Sequence, residues 1–588
     1  MTDAFLGVER SLSGRQWLLA ESDSRLALSI SQRLGLPEIL GRVLAARHIA
    51  LESVESYLNP TLREFLPDPF HLKDMDKAAD TLAEAVRSDQ PIGLLGDYDV
   101  DGATSTALLQ RYFQAVGGRV LVHIPDRMKE GYGPNKSALL SLQSQGAALV
   151  VTLDCGITAF EPLAAAAAAG LPVIVIDHHE AEPALPEAVA VVDPNRLDED
   201  SPHGQLAAVG VAFLLLVAVQ KRLRDSGWFA QRPAPDLLQW LDIVALGTVC
   251  DVVPLVGVNR ALVAQGLKVM ARRGNVGLAA LADRAGVSER LEAFHLGFLL
   301  GPRVNAGGRV GESDLGVRLL ASDDPAEAAL FAERLDGYNR ERQVLEAGVL
   351  QAAIEQVESR PEDDRPLVIA HGDGWHPGVI GIIAGRLKER YGRPACVIAF
   401  DGDEGKGSGR SVSGLDLGSA VIAARQAGLL LKGGGHRMAA GFSLRRQDLP
   451  ALGDFLAERL TAQLDGPLRP VLRLDGALDP MGATLALVET LSRLQPFGAG
   501  NTEPRFALLG ARVSGARVVG QGHVACTLSG RQGGRLKAIA FRSVDSDLGV
   551  LLLANDGTPL NLAGTLRLDN WQGRSAVQMF IEDAAPLQ

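Results

Sequence analysis

The sequence predicts an α/β protein: two α/β domains joined by a long helix, plus a C-terminal β-barrel. Three observations carry that expectation. Short apolar runs alternate with helical patterns from Ile92 to about Val258, an unbroken helix-forming stretch runs from about Pro325 to Glu358, and the last segment changes to short alternating strands between Gly-rich turns.

Residues 1–88 read as a helical preface. Ile30, Leu34, Ile39, Leu40, Val43 and Leu44 keep helical spacing until Pro60 and Pro67-Asp-Pro69 interrupt it, and a further helix is expected from about Lys73 to Arg87. Residues 89–324 form the first α/β domain. Its strands are the apolar runs Pro91-Ile-Gly-Leu-Leu, Leu149–Leu153 and Val173–Ile176, and its helices fall near Ser105–Gln114, Asn135–Gln145 and Phe160–Ala169. That alternation is the mark of a parallel sheet covered on both faces. The Ala-rich Leu163–Ala169 reads as a buried helix. The apolar stretch Leu206–Val219, about 14 residues, falls short of the roughly 20 that cross a bilayer and is a core helix instead.

Residues 325–360 form the connecting helix. A smaller α/β domain follows over 361–464, with strands at Leu367–Ala370 and Ala395–Phe400 and a helix from Gly378 to Arg390 between them. Over 465–588, strands at Ala511–Val519, His523–Leu528, Arg535–Phe541, Asn561–Leu568 and Ser575–Glu582 suggest a five-stranded barrel of the oligonucleotide-binding (OB) kind.

The chemistry collects where the apolar runs end. Asp97-Tyr-Asp99-Val-Asp101-Gly102 follows the first run, Asp154-Cys155-Gly156 the second and Asp177-His178-His179 the third, and Asp251 closes a fourth apolar stretch from Leu241. In open α/β sheets the carboxyl ends of the strands hold the ligand site. A lone Asp after a strand is ordinarily a helix cap, and by itself Asp154 would be read that way. Three carboxylates at alternate positions exceed what a cap needs. Joined, the four segments read as a site for hard or borderline divalent ions such as Mn²⁺ or Mg²⁺. Cys155, Cys250, Cys396 and Cys526 form no C-x-x-C pair and read as reduced core residues.

The net charge of −12 excludes a protein that coats duplex nucleic acid with a uniformly basic surface. It leaves room for a local groove with salt-sensitive binding. From Gln463 to Gln588 there are 12 Arg and Lys against 11 Asp and Glu, so the tail repels a polyanion least. The opening ten residues have no basic segment followed by an apolar core, so no secretory leader is expected and the cytoplasm is the expected location.

Gly96–Gly102, Thr152–Gly156, Asp177–His179 and Gly247–Asp251 resemble, in order, the four motifs of the DHH phosphoesterase superfamily. Pro125–Gly133, Gly301–Arg309, Gly407–Ser411, Gly433–His436, Pro496–Asn501 and Asn570-Trp571 are similar to its bacterial single-strand-specific exonucleases. The resemblance implies a DHH catalytic domain, a smaller DHH-associated domain and an OB-like domain that binds single strands. It also implies metal ligation by Asp97, Asp99, Asp101, Asp154, His178 and Asp251, with Asp101, Asp154 and His179 catalytic and His179 nearer the scissile phosphate. Where several members have a His before the first motif's aspartates, this chain has Leu95, so Asp97 is expected to replace that ligand.

Two ions roughly 4 Å apart, bridged by Asp154, would generate hydroxide and brace an in-line phosphoryl displacement. Arg127, Tyr132, Arg303, Asn305, Arg309, Ser408, Arg410, Ser411, Gly434, Gly435 and His436 are the expected DNA and phosphate contacts, the first two near a terminal-phosphate pocket. Trp571 and Phe541 are candidates for base stacking. The implied activity is 5′ to 3′ hydrolysis of single-stranded DNA in repair and recombination. The implied partners are a RecQ-type helicase and a single-strand-binding protein, for a monomer with no membrane association.

Two alternatives stay open. One is a phosphodiesterase for oligoribonucleotides or a cyclic dinucleotide, which would not need the preface or the barrel. The other is a non-catalytic scaffold, which would be expected to have lost metal ligands.

Overall fold

The computed structural model describes all residues except 1, 2, 127–129, 132, 360–364, 465, 467–469, 570–575 and 588. The chain forms two compact units, one of residues 67–253 and 266–468, the other of residues 1–66, 254–265 and 469–588.

The first unit contains two sheets. Strands Val120–His123, Ile92–Gly96, Leu149–Leu153, Val173–Ile176 and Ala190–Val192 lie side by side in that order, all parallel. The central three are buried along their whole length, as uninterrupted apolar runs require when helices cover both faces. The chain reverses its direction of winding between Ile92–Gly96 and Leu149–Leu153. Crevices at the carboxyl ends of strands flanking such a reversal are where doubly wound sheets bind ligands. Asp97 and Asp154 are the residues that follow these two strands.

A 34-residue helix, Pro325–Glu358, is started by Asp324, whose carboxylate accepts the backbone N–H groups of Ala326 and Glu327. It leads to the second sheet, ordered Lys432–His436, Ala439–Arg445, Glu404–Arg410, Ala395–Asp401 and Val368–Asp373. Only the last two strands run parallel.

Several sequence expectations change. Leu241–Cys250 is a buried helix capped by Asp251, not a strand; a continuous apolar run does not distinguish the two. The helix Phe160–Ala168 buries only Leu163 and Ala166, because alanine favours helix without needing burial. Gly301–Val310, which carries Arg303, Asn305 and Arg309, is a helix preceded by a π-helical turn, Leu296–Leu300. Gly433–His436 lies in the strand Lys432–His436.

In the second unit, five strands close a barrel in the order Arg505–Val519, His523–Ser529, Arg535–Ala540, Ala576–Pro586 and Leu560–Asp569, the last pairing back onto the first. The helix Asp547–Ala554 interrupts them. The segment read as a helical preface is divided. Residues 1–66 pack with the barrel and contribute a strand, Gln16–Leu19, that pairs in parallel with Val471–Leu474. Nothing local in sequence signals a pairing across more than 400 residues.

Candidate metal centre

The site is built at the rim of the parallel sheet. Asp99 caps the helix Val100–Ala115, accepting from the N–H groups of Asp101 (2.9 Å) and Gly102 (3.2 Å). Gly102 is required by crowding, since a Cβ there would lie 2.4 Å from the Asp97 carbonyl oxygen. The cap turns Asp101 inward, where its two carboxylate oxygens accept the N–H groups of Ala208 (2.6 Å) and Val209 (2.9 Å). The helix Ala208–Asp225 has no side-chain cap of its own, so Asp101 supplies the anion its N-terminus favours.

His178 joins these segments. Its Nε2 lies 3.3 Å from Asp154 Oδ1, 3.6 Å from Asp251 Oδ2 and 3.9 Å from Asp101 Oδ2. Ligands at about 2.1 Å on adjacent octahedral positions are about 3 Å apart, so the separations suit groups around one ion. A second constellation joins Asp97, Asp99 and Asp154, and a third Asp154, His178 and His179. Leu95 is fully buried in the core and offers no ligand.

His179 is held differently. Its Nδ1 lies 2.7 Å from Asp177 Oδ1, and Asp177 also accepts the N–H groups of Ile157, His178 and His179. Burial opposes charge on His179, but the Asp177 bond outweighs it and pushes the imidazole up to about 9. Burial and the neighbouring His179 push His178 down to about 4, leaving a neutral ring. Neutral imidazole is the form that binds a metal.

Burial, with Asp99 beside it, raises Asp101 to about 7. Burial and then Asp101 raise Asp251 to about 9. Burial and then Asp99 raise Asp154 well above the carboxylate range. Such a nest is costly unless cations neutralise it. Among the described residues, the buried His178 Nε2 and Asp251 Oδ2 have no hydrogen-bond partner. Oxygen donors with one or two imidazoles and two orphaned atoms fit Mn²⁺ or Mg²⁺.

The predicted DNA contacts fare unevenly. Arg410 is half-buried and donates to Ser408 Oγ (3.3 Å) and the Gly409 carbonyl (2.9 Å). His436 is exposed, its Nδ1 3.3 Å from Glu180 Oε2, which brings the strand Lys432–His436 beside the Asp177–His179 segment. Gly434 borders open space, whereas a Cβ on Gly435 would strike the neighbouring strand at Ala439 and Ala440.

Three of the expected contacts have structural employment. Ser411 is buried and donates to the Leu415 carbonyl at 2.9 Å. Arg303 pairs with Asp336 at 3.0 Å and donates to Leu299 O at 2.7 Å. Arg309 donates to the Gly378 carbonyl at 2.9 Å. Asn305 is half-buried on the same helix as the two arginines. Arg127, Tyr132 and Trp571 lie outside the described residues.

Asn195 was not anticipated. Its Nδ2 donates to the His178 carbonyl at 2.5 Å, and its own N–H goes to the buried Asp193. An Asp-Pro-Asn turn directly after the apolar run Ala190–Val192 was the available signal.

Family models match three stretches: the DHH family N-terminal domain over residues 91–248, the DHHA1 domain over 364–462 and the RecJ OB domain over 474–583. The chain is 37% identical to the single-stranded-DNA-specific exonuclease RecJ of Escherichia coli, over 94% of this chain and 96% of the relative. It is 34% identical to the RecJ of Bacillus subtilis, over 97% and 71%. The crystal structure of Thermus thermophilus RecJ with Mn²⁺ superposes with a TM-score of 0.80 at 31% identity, covering 97% of this chain and 79% of that one. The corresponding Mg²⁺ complex gives 0.76 at 30%. Identity sustained over nearly the full length, in all three matched domains, means that the chain belongs to the RecJ family of single-stranded-DNA-specific exonucleases.

Proposed function

We propose that the protein hydrolyses single-stranded DNA stepwise from the 5′ end, releasing nucleotides, with Mn²⁺ or Mg²⁺ held by Asp97, Asp99, Asp101, Asp154, His178 and Asp251. The observation that carries this reading is the convergence of His178 Nε2 with three carboxylates at the switch point of the sheet. Divalent cations held there supply Lewis acidity and an activated water.

The chain's own groups do the rest. Asp177 keeps the His179 imidazole charged, so that it donates to a phosphate oxygen as the bond to the leaving oxygen breaks. Asn195 fixes the backbone of His178. Arg410 and Ser408 offer guanidinium and hydroxyl donors to a strand phosphate. A Cβ on Gly381 would lie 3.3 Å from Arg410 Nη2, so that arginine stands at the N-terminal turn of the helix Ile380–Tyr391, itself favourable to anions. Gly434 and His436 offer a second phosphate contact. The protein acts as a cytoplasmic monomer in repair and recombination, receiving its strand from a RecQ-type helicase and a single-strand-binding protein.

Digestion of 5′-labelled and 3′-labelled single strands, duplex DNA and a cyclic dinucleotide, with Mn²⁺, Mg²⁺ or chelator, tests the reading. The expected result is stepwise loss from the 5′ end of single strands alone, abolished by chelator and by Asp251→Asn. Cleavage of the dinucleotide but not the long strand would replace it with the small-substrate alternative.

A further inference from the structure

Phe298 is a large apolar side chain left 70% exposed. It belongs to the π-helical turn Leu296–Leu300, which buries Leu296 and Leu300 and sends Phe298 outward. Phe294, four residues earlier and also exposed, lies beside it, the two rings 5.0 Å apart and 26° from parallel. One face of the Phe298 ring is therefore covered by another ring, and the residue's exposure leaves the other face open.

The pair is held from behind. Phe294 meets the His295 ring edge-on at 5.7 Å. His295 is itself buried, its Nδ1 accepting the Glu292 N–H at 2.9 Å and its Nε2 lying 3.1 Å from Glu289 Oε1. The rings are thus ordered on folding, which lowers the entropy that a ligand must give up on binding.

The turn also has a fixed place beside the metal centre, within the same compact unit. Cys250, the residue before Asp251, donates its thiol to the Leu296 carbonyl at 3.5 Å. A Cβ on Gly297 would lie 3.5 Å from Val249 Cγ1, and one on Gly301 would strike the Cys250 sulfur, so both glycines lie flat on the end of the helix Leu241–Cys250. Further along, a Cβ on Gly308 would lie 2.6 Å from the carbonyl oxygen of Tyr98, which stands between Asp97 and Asp99. Phe298 therefore sits on a segment packed against two of the stretches that carry the acidic cluster.

Two rings make a patch far smaller than the roughly 800 Å² that each partner buries in a stable protein interface. The residues before them, Glu289, Arg290 and Glu292, are exposed and charged, so the patch does not continue. A single flat ring with one free face matches a nucleobase, since every base has a π-face. Inside a duplex both faces of a base are already stacked, whereas an unpaired strand turns a base out at little cost.

We propose that Phe298, backed by Phe294, is a substrate-binding residue that stacks on one unpaired base of the strand whose phosphate is cut at the metal centre. The inference rests on the exonuclease reading above and adds a base contact to its phosphate contacts.

The test is the rate of the first cut by the full chain with Mn²⁺, under single-turnover conditions at sub-saturating enzyme. The substrates are an intact single strand and strands with one abasic residue walked inward from the digested end. Wild type is expected to lose about tenfold at one abasic position, the worth of one stacked base. Phe298→Ala should be about tenfold slower on the intact strand and show no sensitive position. Phe298→Trp, which keeps a stacking face, should restore both the rate and the sensitive position, and Phe298→Leu, apolar but without a ring, should restore neither. A wild-type rate in Phe298→Ala or Phe298→Leu, or the same sensitive position with and without the ring, overturns the proposal and leaves the exonuclease reading standing. A wild-type enzyme that cuts no single strand overturns that reading and this inference with it. Circular dichroism checks folding, and Phe298→Leu, the smaller change, carries the comparison should Phe298→Ala not fold.

Discussion

The metal centre and the cluster around Asn501 both bury like charge, and they deal with it in opposite ways. At the centre, Asp101, Asp154 and Asp251 are pressed together with His178 Nε2 and Asp251 Oδ2 left without a hydrogen-bond partner. Around Asn501, Arg47 and the buried Arg260 converge, yet carbonyl groups of Tyr57, Leu494, Gln495 and Thr502 take up Nη donors of both, and only Arg260 Nε is left without a hydrogen-bond partner. Arg260 also lies 4.0 Å over the Tyr57 ring. Charge answered by fixed dipoles is structural; charge left unanswered calls for a ligand. Uncompensated charge in a sequence therefore does not by itself mark a binding site.

The largest expected effect tests that distinction directly. Asp154→Ala removes the carboxylate shared by two of the three constellations and should lower kcat by at least about 10³-fold while abolishing tight Mn²⁺ binding. The same change should raise the melting temperature of the metal-free protein at alkaline pH, where the clustered carboxyl groups lose their protons and repel one another. A metal-free protein destabilised by Asp154→Ala would mean the nest is held by bonds within the chain.

Arg260→Ala should do the reverse. Removing the guanidinium leaves the Leu494, Gln495 and Tyr57 carbonyls buried without their donor, at a cost of about 3 kcal/mol. Chemical denaturation would measure it. The deficit should be the same with and without Mn²⁺, which sets a structural charge cluster apart from a ligand site.

The acidic cluster was legible because its carboxylates and imidazole follow apolar strands, where sequence and topology point to one rim. Asp97, Asp99, Asp154 and His178 needed only that rule. Asp251 was found by its motif but placed on the wrong element, since its apolar run is equally good as helix. The arginine cluster was not legible at all. Arg47, Tyr57, Arg260 and Asn501 come from distant parts of the chain, and their partners are carbonyl groups, which every residue carries. The partners that Arg303 and Ser411 take within the chain, Asp336 and the Leu415 carbonyl, were likewise not legible.

A smaller effect follows from pH. Asp101 at about 7, Asp251 at about 9 and His179 at about 9 all hold protons in the folded state that the unfolded chain has released. Where the folded state binds more protons, stability falls as pH rises. His178, pushed down to about 4, works in the opposite sense, but only below the ordinary histidine value of about 6.5. Between about pH 6.5 and 9 the shifts therefore agree, and the metal-free protein should melt progressively lower across that range. Saturating Mn²⁺ should flatten the slope, because bound cations favour the ionised carboxylates. A slope unchanged by Mn²⁺ would place the titrating groups elsewhere.

The smallest effect concerns the barrel, where charge is already paired. Arg505 meets Glu582 and Arg567 meets Glu503 along a groove of about 690 Å³. The guanidiniums are therefore only partly available to phosphate, and any hold on a strand there must lean on rings. Phe541 is 51% exposed and packs edge-on against His523 and Phe580, both 5.0 Å away. Stacking one base on such a ring is worth about 1–3 kcal/mol, and the lower end applies to a ring already half-covered. Phe541→Ala should accordingly raise KM for long single strands about fivefold with kcat unchanged. Since stacking releases no counterions, the ratio of mutant to wild-type KM should stay constant from low to moderate salt, even as both rise. A ratio that shrinks with salt would mean that Phe541 acts by holding Arg567 or Arg542 in place, and that the barrel binds phosphate rather than bases.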